Sequence, residues 1–152
     1  MCGFASFDLV EKQGKEPGPV RQADRKQLRV LIADDTAAIR DSMSNLISRL
    51  RDVEIVGQAQ TGTQALELIR TLKPHIATLD IRMPELSGIN VLTELKREGS
   101  DTSIIMLSGL AEAEYRRKCL ALGAKYFFHK ATEFEQVVEV LKESARALNG
   151  EA

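Results

Sequence analysis

Three acids, a serine and a lysine in this 152-residue chain have the residue types of a site that handles charge. Asp34 and Asp35 close the run "VLIADD", Asp80 closes "IATLD", Ser108 closes "SIIMLS" and Lys130 closes "KYFFHK". A single acid after an apolar run has an ordinary explanation as a cap on the next helix, a role open to Asp35 or Thr36. The set is poorly explained that way, because three carboxylates brought together repel and raise one another's pKa. Such a cluster needs a cation, and an all-oxygen donor set without His or Cys suits Mg²⁺. Lys130 offers an ammonium that offsets the acids and holds an added anion, and Ser108 offers a hydroxyl donor. A carboxylate nucleophile, a metal, an ammonium and a hydroxyl are the parts needed to move a phosphoryl group onto an aspartate.

That chemistry requires the four runs to end at one level, so the elements between them matter. From Leu28 onward, short apolar runs alternate with amphipathic helical patterns. "LRVLIA", "EIVGQA", "IATLD", "SIIMLS" and "KYFFHK" read as five strands. Residues 36–50 carry Ile39, Met43, Leu46, Ile47 and Leu50 on one helical face. Leu66 and Ile69 mark a helix over 63–72, and Val91, Leu92 and Leu95 mark a third. A fourth spans about 112–122 and stops at Gly123, a natural C-cap. Thr132 and Glu135 predict a capping box opening a last helix with Phe134, Val137, Val138, Leu141 and Leu148 inward. Five β-α units with near-continuous apolar strands predict an α/β fold, a doubly wound parallel sheet with helices on both faces. In such open sheets function gathers beyond the carboxyl ends of the strands, where all five candidate residues lie.

The bulk properties set limits on this reading. A chain of this length is one domain with a proper core. Hydrophobic residues at 43% and charged residues at 28% fit a soluble globular protein, and a net charge of −1 gives no general pull toward nucleic acid or an anionic membrane. No apolar run approaches the roughly 20 residues of a membrane span. "MCGFASFDLVEKQGK" lacks the basic and apolar regions of a secretory signal. Cys2 and Cys119 match no metal spacing or disulfide framework, so a cytoplasmic location is expected. Residues 1–27 are polar and punctuated by Gly14, Pro17, Gly18 and Pro19, which reads as a flexible leader ahead of a domain over 28–149. Phe4, Phe7, Leu9 and Val10 in it are able to dock on the domain or a partner, although a loosely ordered terminus is the plainer reading.

"VLIADD", "LDIRMPELSG", "IIMLSG" and "GAKYFFHKATEF" together resemble, in order and spacing, the signature blocks of the receiver domains of two-component response regulators. Each block alone is weak; the four together are specific. The resemblance implies the flavodoxin-like strand order 2-1-3-4-5 and a single-domain phosphoacceptor switch. It makes Asp80 the phosphoacceptor, with Asp35 a direct Mg²⁺ ligand, Asp34 a ligand through water and the backbone carbonyl of Arg82 completing the protein's share. Ser108 matches the hydroxyl that moves toward the phosphoryl group, Lys130 the lysine that pairs with it, and Phe127 the aromatic whose rotamer reports activation. Expected partners are a sensor histidine kinase or phosphotransfer protein and a downstream protein target, with a homodimer also open and no direct nucleic-acid or membrane contact. The output surface would comprise the fourth helix, fifth strand and fifth helix. Where the family commonly has proline after the lysine, this chain has Ala131, so a trans Lys130–Ala131 bond is expected. Tyr126 should face the opposite side of its strand from Phe127.

Other features read as ordinary structure. His75 and His129 are expected at the surface or sheet edge, Cys119 as a packed thiol, and the "YRRK" run as a solvated helix face. Two other function classes remain open: a metal-dependent phosphohydrolase with an aspartyl intermediate, and an interaction module indifferent to phosphorylation. Against the first, the position two beyond Asp80, where that class usually has an acid, holds Arg82. Ending at Ala152, the chain is expected to be either a stand-alone receiver or a piece of a larger regulator.

Overall fold

A computed structural model describes residues 24–109 and 113–151. Five strands, β1 (Leu28–Ala33), β2 (Val53–Ala59), β3 (Ile76–Asp80), β4 (Ser103–Ser108) and β5 (Tyr126–His129), form one sheet in the order β2-β1-β3-β4-β5. All four pairings are parallel, so every strand delivers its carboxyl end to the same edge. The intervening helices are α1 (Ala37–Ile47), α2 (Gly62–Leu72), α3 (Gly88–Glu98), α4 (Ala113–Ala121) and α5 (Phe134–Leu148).

Successive strand residues point to opposite faces, and the core divides accordingly. Leu31, Leu79, Met106 and Phe127 enter one cluster with Ile69, Val91 and Leu95. Val30, Ile32, Ile105 and Leu107 enter the other with Met43, Ile47 and Leu141. Tyr126 packs on this second cluster, opposite Phe127 as its position in the strand requires. With both faces covered, the strands are apolar throughout, and the few buried polar groups stand out: Asp34, Asp80 and Ser108 at the strand ends, Thr78 inside β3, and Asp52.

Local signals explain most element boundaries. The Thr61 hydroxyl accepts from the Gln64 N–H and the Ser87 hydroxyl from the Asn90 N–H, capping α2 and α3. Gly99 and Gly123 take positive φ where α3 and α4 end. Two expectations need correction. Leu46, expected inward, is 37% exposed on α1. The expected Thr132–Glu135 capping box does not form; Glu133 is the N-cap of α5, without a side-chain cap bond. The run expected to be a solvated helix face is largely exposed, and Arg116 in it also bonds β5 and Glu133. The inner end of the fourth predicted helix begins at Ala113, and its predicted start at residue 112 lies outside the described residues.

Phe4, Phe7, Leu9 and Val10 also lie outside the described residues. The stretch just before β1 is tied to the far end of the chain. Arg25 donates to Asp52 at 2.7 Å and to Glu151 at 3.0 and 3.2 Å. The Lys26 N–H donates to Asn149 Oδ1, and Asn149 Nδ2 returns a bond to the Lys26 carbonyl. Hydrogen bonding from Arg25 holds the Asp52 carboxyl below its ordinary value of 3.8. A depressed carboxylate pKa stabilises the fold fully above that ordinary value and progressively less as the pH falls below it. In acid titrations followed by circular dichroism, Arg25→Met should therefore unfold at a higher pH than the parent. Coincident acid transitions would show that this clasp adds no pH-dependent stability.

Candidate functional site

The sheet brings the predicted residues together. Asp34 follows β1 directly, Asp80 is the last residue of β3, Ser108 the last of β4, and Lys130 the first residue beyond β5. Carboxylate oxygens of Asp34, Asp35 and Asp80 lie within 4.8 Å of one another. Asp34 is 1% and Asp80 5% exposed, whereas Asp35 is open to solvent. Asp35, Asp80, Arg82, Ser108, Gly109 and Lys130 line a cavity of about 330 Å³.

Lys130 is the cation that holds the acids in place. Its Nζ lies 2.6 Å from Asp34 Oδ2 and 3.0 Å from Asp80 Oδ2. Burial pushes the Lys130 ammonium toward losing its proton, but the contacts with Asp34 and Asp80 outweigh this and raise its pKa. Burial also raises the Asp80 pKa, and the nearby Asp34 charge adds to that; Lys130 and the Arg82 N–H pull the other way without reversing it. One ammonium against three carboxylates leaves a net negative, all-oxygen cradle. Its donor set fits a hard divalent cation such as Mg²⁺.

The backbone around the acids is fastened from several sides. The Asp34 N–H donates to the Ala59 carbonyl and the Thr36 N–H to Asp34 Oδ1, which fixes the turn out of β1. Arg40, from the first turn of α1, donates to the Asp34 carbonyl at 2.6 Å. The loop after Asp80 is clamped by two helix-opening glycines. The Gly62 N–H donates to the Pro84 carbonyl and the Gly88 N–H to the Ile81 carbonyl. A Cβ on Gly62 would lie 1.7 Å from the Leu86 carbonyl oxygen, and one on Gly88 would lie 2.1 Å from that of Asp80. Only glycine permits such approaches.

Residues 30–142 match the family described as the response regulator receiver domain. The chain belongs to that family. As a receiver domain it is a signalling module of two-component systems. It is 34% identical over 118 residues to the chemotaxis protein CheY of Thermotoga maritima, covering 78% of this chain and 98% of that protein. It is likewise 34% identical over 112 residues to the uncharacterized transcriptional regulatory protein YhcZ of Bacillus subtilis, covering 74% of this chain but only 52% of the relative's length. Among solved structures, the response regulator domain of Thermotoga maritima CheB superposes with a TM-score of 0.71 at 33% identity, covering 84% of this chain and 99% of that one. Among the described residues of this receiver domain, no helix is long and apolar enough to cross a membrane.

The switch candidates also have definite positions. Phe127 is turned inward, 3% exposed, in the cluster on the α2–α3–α4 face. The Lys130 N–H donates to the Ser108 carbonyl, so the ends of β4 and β5 stay in register beside the cavity. No cis peptide bond occurs among the described residues, and the Lys130–Ala131 bond is trans as expected. Cys119 is a fully buried thiol. His75 is exposed and accepts the Arg29 N–H at Nδ1, so neither it nor His129 enters the cavity. Leu110, two residues beyond Ser108 as Arg82 is two beyond Asp80, lies outside the described residues.

Sequence reasoning missed Arg40, Gly62 and Gly88. A glycine just after a Ser or Thr N-cap was the available signal for the two glycines: propensity disfavours glycine inside a helix, so its presence implies close backbone approach. Gly88→Ala should lower stability by about 1–3 kcal/mol through overpacking against the Asp80 carbonyl. Gly109→Ala, whose Cβ meets nothing within 4 Å, should be nearly neutral. Thermal melts of both variants check this; equal midpoints would rule out the clamp.

Proposed function

We propose that this receiver domain is a phosphoacceptor switch that takes a phosphoryl group from a sensor histidine kinase or phosphotransfer protein onto Asp80. The observation that carries the reading is the Lys130 ammonium bridging Asp34 and Asp80 at the mouth of the cavity. An Asp80 carboxylate oxygen attacks the phosphorus of the donor's phosphohistidine. The P–N bond breaks with its electron pair going to the imidazole, and an acyl phosphate remains on Asp80. Lys130 then exchanges its carboxylate contact for the new phosphoryl oxygens, and the Ser108 hydroxyl donates to the same group. Asp34, Asp35, Asp80 and the Arg82 carbonyl would hold Mg²⁺, which when bound neutralises charge building on the phosphoryl oxygens. Catalysis here is positioning and charge neutralisation, so the domain acts on itself and is not a turnover enzyme.

The group once added makes Asp80 dianionic beside Ser108, and the reading assigns the response to Ser108 and Phe127, with α4, β5 and α5 as the surface presented to a downstream protein. A homodimer through that surface is compatible with the same reading, as is either a stand-alone module or part of a longer regulator.

Small phosphodonors such as acetyl phosphate should modify Asp80 and only in the presence of Mg²⁺. Intact-mass measurement with peptide mapping should find about 80 Da, one phosphoryl group, on that residue and none in Asp80→Asn. Modification elsewhere, or full modification in EDTA, would sink the assignment; sustained turnover of a phosphomonoester would favour a hydrolase instead.

The lifetime of the acyl phosphate depends on access of an in-line water. Arg82 lines the cavity and is neither an acid nor an amide able to orient that water. A charge-assisted contact from its guanidinium to the phosphoryl oxygens slows hydrolysis, by about threefold to tenfold once its exposure is allowed for. Arg82→Asn should lose the phosphoryl group faster by that factor in a mass-spectrometric decay series. Equal decay in the two proteins would show that Arg82 gives no protection.

A further inference from the structure

Among the described helices, α4 has the fewest fully buried side chains, Cys119 alone. A helix so lightly packed belongs to the low-stability part of a fold and depends on its polar ties. Arg116 is such a tie. Its guanidinium lies over the Phe127 ring at 5.1 Å from the centroid. Nη1 donates to the Phe127 carbonyl at 2.9 Å, and Nη2 donates to Glu133 Oε1 at 3.3 Å.

Glu133 connects that tie to the site. The same Oε1 accepts the His129 N–H at 2.9 Å. The Glu133 N–H donates back to the His129 carbonyl at 2.9 Å, and the Ala131 N–H donates to His129 Nδ1 at 3.1 Å. Residues 129–133 therefore close into a small loop, and Lys130 sits on it with its ammonium on Asp34 and Asp80. An ion pair as exposed as Arg116–Glu133 contributes little stability by itself. Its importance lies in geometry: one carboxylate oxygen is shared between a helix side chain and the backbone that aims Lys130.

We propose that Glu133 is the positioning residue of the Lys130 loop, and that Arg116 makes its hold depend on the placement of α4. The inference rests on the reading of Asp80 as phosphoacceptor and deepens it, naming a path by which the site and the α4 surface respond to each other. If Lys130 moves toward an added phosphoryl group, the 129–133 loop moves with it, the Glu133 carboxylate shifts, and Arg116 loses or changes its grip on Phe127. The coupling runs both ways, as linkage between sites requires.

Three variants of the full chain test this. Glu133→Ala removes the acceptor for both His129 and Arg116. Glu133→Gln keeps a carbonyl oxygen for the His129 N–H but drops the charge facing Arg116, and Arg116→Ala removes the tie from the helix side. With acetyl phosphate and saturating Mg²⁺, Glu133→Ala should be modified at Asp80 about tenfold more slowly than the parent, and Glu133→Gln within about twofold of it. The Mg²⁺ concentration for half-maximal rate should stay parental in both, which a general loss of folding would not give. Beryllofluoride with Mg²⁺, as a phosphoryl mimic, should change amide exchange in residues 113–121 of the parent, and this response should shrink in Arg116→Ala and Glu133→Gln. A parental modification rate in Glu133→Ala, or a parental α4 response in Arg116→Ala, would overturn the proposal. If the parent takes no phosphoryl group on Asp80, the functional reading has failed. The positioning claim is then decided by amide exchange of residues 129–131 in untreated protein, which Glu133→Ala must speed and Glu133→Gln must leave unchanged.

Discussion

Two buried carboxylates, an exposed third and one ammonium, gathered at one end of a parallel sheet, set the terms for everything else in this molecule. At an effective dielectric near 20, each like-charge pair at about 5 Å costs roughly 3 kcal/mol, and each close contact with Lys130 returns about twice that. The balance is near even before desolvation, which adds a cost that the ion pairs alone do not cancel. Such a cluster persists only if the backbone leaves the charges no room to separate. The apolar sheet meets that condition by fixing four strand ends in register, and the helices meet it by clamping the loops that leave those ends.

The clamps are specific. Arg40 grips the Asp34 carbonyl from α1, while Gly62 and Gly88 let α2 and α3 press directly on the loop after Asp80. On the other side of the cavity the Lys130 loop is closed by Glu133 rather than by a conventional helix cap. The acid side is thus built rigidly, from buried strand ends and glycine contacts. The cation side is built from hydrogen bonds that reach α4 through Arg116. The proposed switch would use that asymmetry: a fixed acceptor, and a partner whose position another surface can bias.

Much of this was legible in the residues. Near-continuous apolar runs located all five strands, with β1, β3 and β4 matched at both ends, because strands buried on both faces tolerate almost nothing else. The acids stood out for the same reason: Asp34 and Asp80 interrupt otherwise apolar runs. Less legible were groups whose role depends on distant partners. Leu46 fits the inward face of α1 by spacing, yet Met43 and Ile47 fill that face and Leu46 stays 37% exposed. Glu133 drew no reading inside the expected Thr132–Glu135 capping box, because its carboxylate is drawn to the His129 N–H and Arg116, contacts no local pattern encodes. Arg116 sat in a charged run that ordinarily faces water, and only the fold puts Phe127 beneath it.

Lys130 is the counter-ion of the acid cluster and carries part of the charge balance that a divalent cation would complete. Titrating Mg²⁺ calorimetrically into the parent and into Lys130→Met tests it most directly. Removing a like charge close to the cation should tighten Mg²⁺ binding several-fold, since each 1.4 kcal/mol relieved is a factor of ten. Binding that is unchanged or weaker in Lys130→Met would contradict the assignment of Lys130 as the charge that balances Asp34 and Asp80.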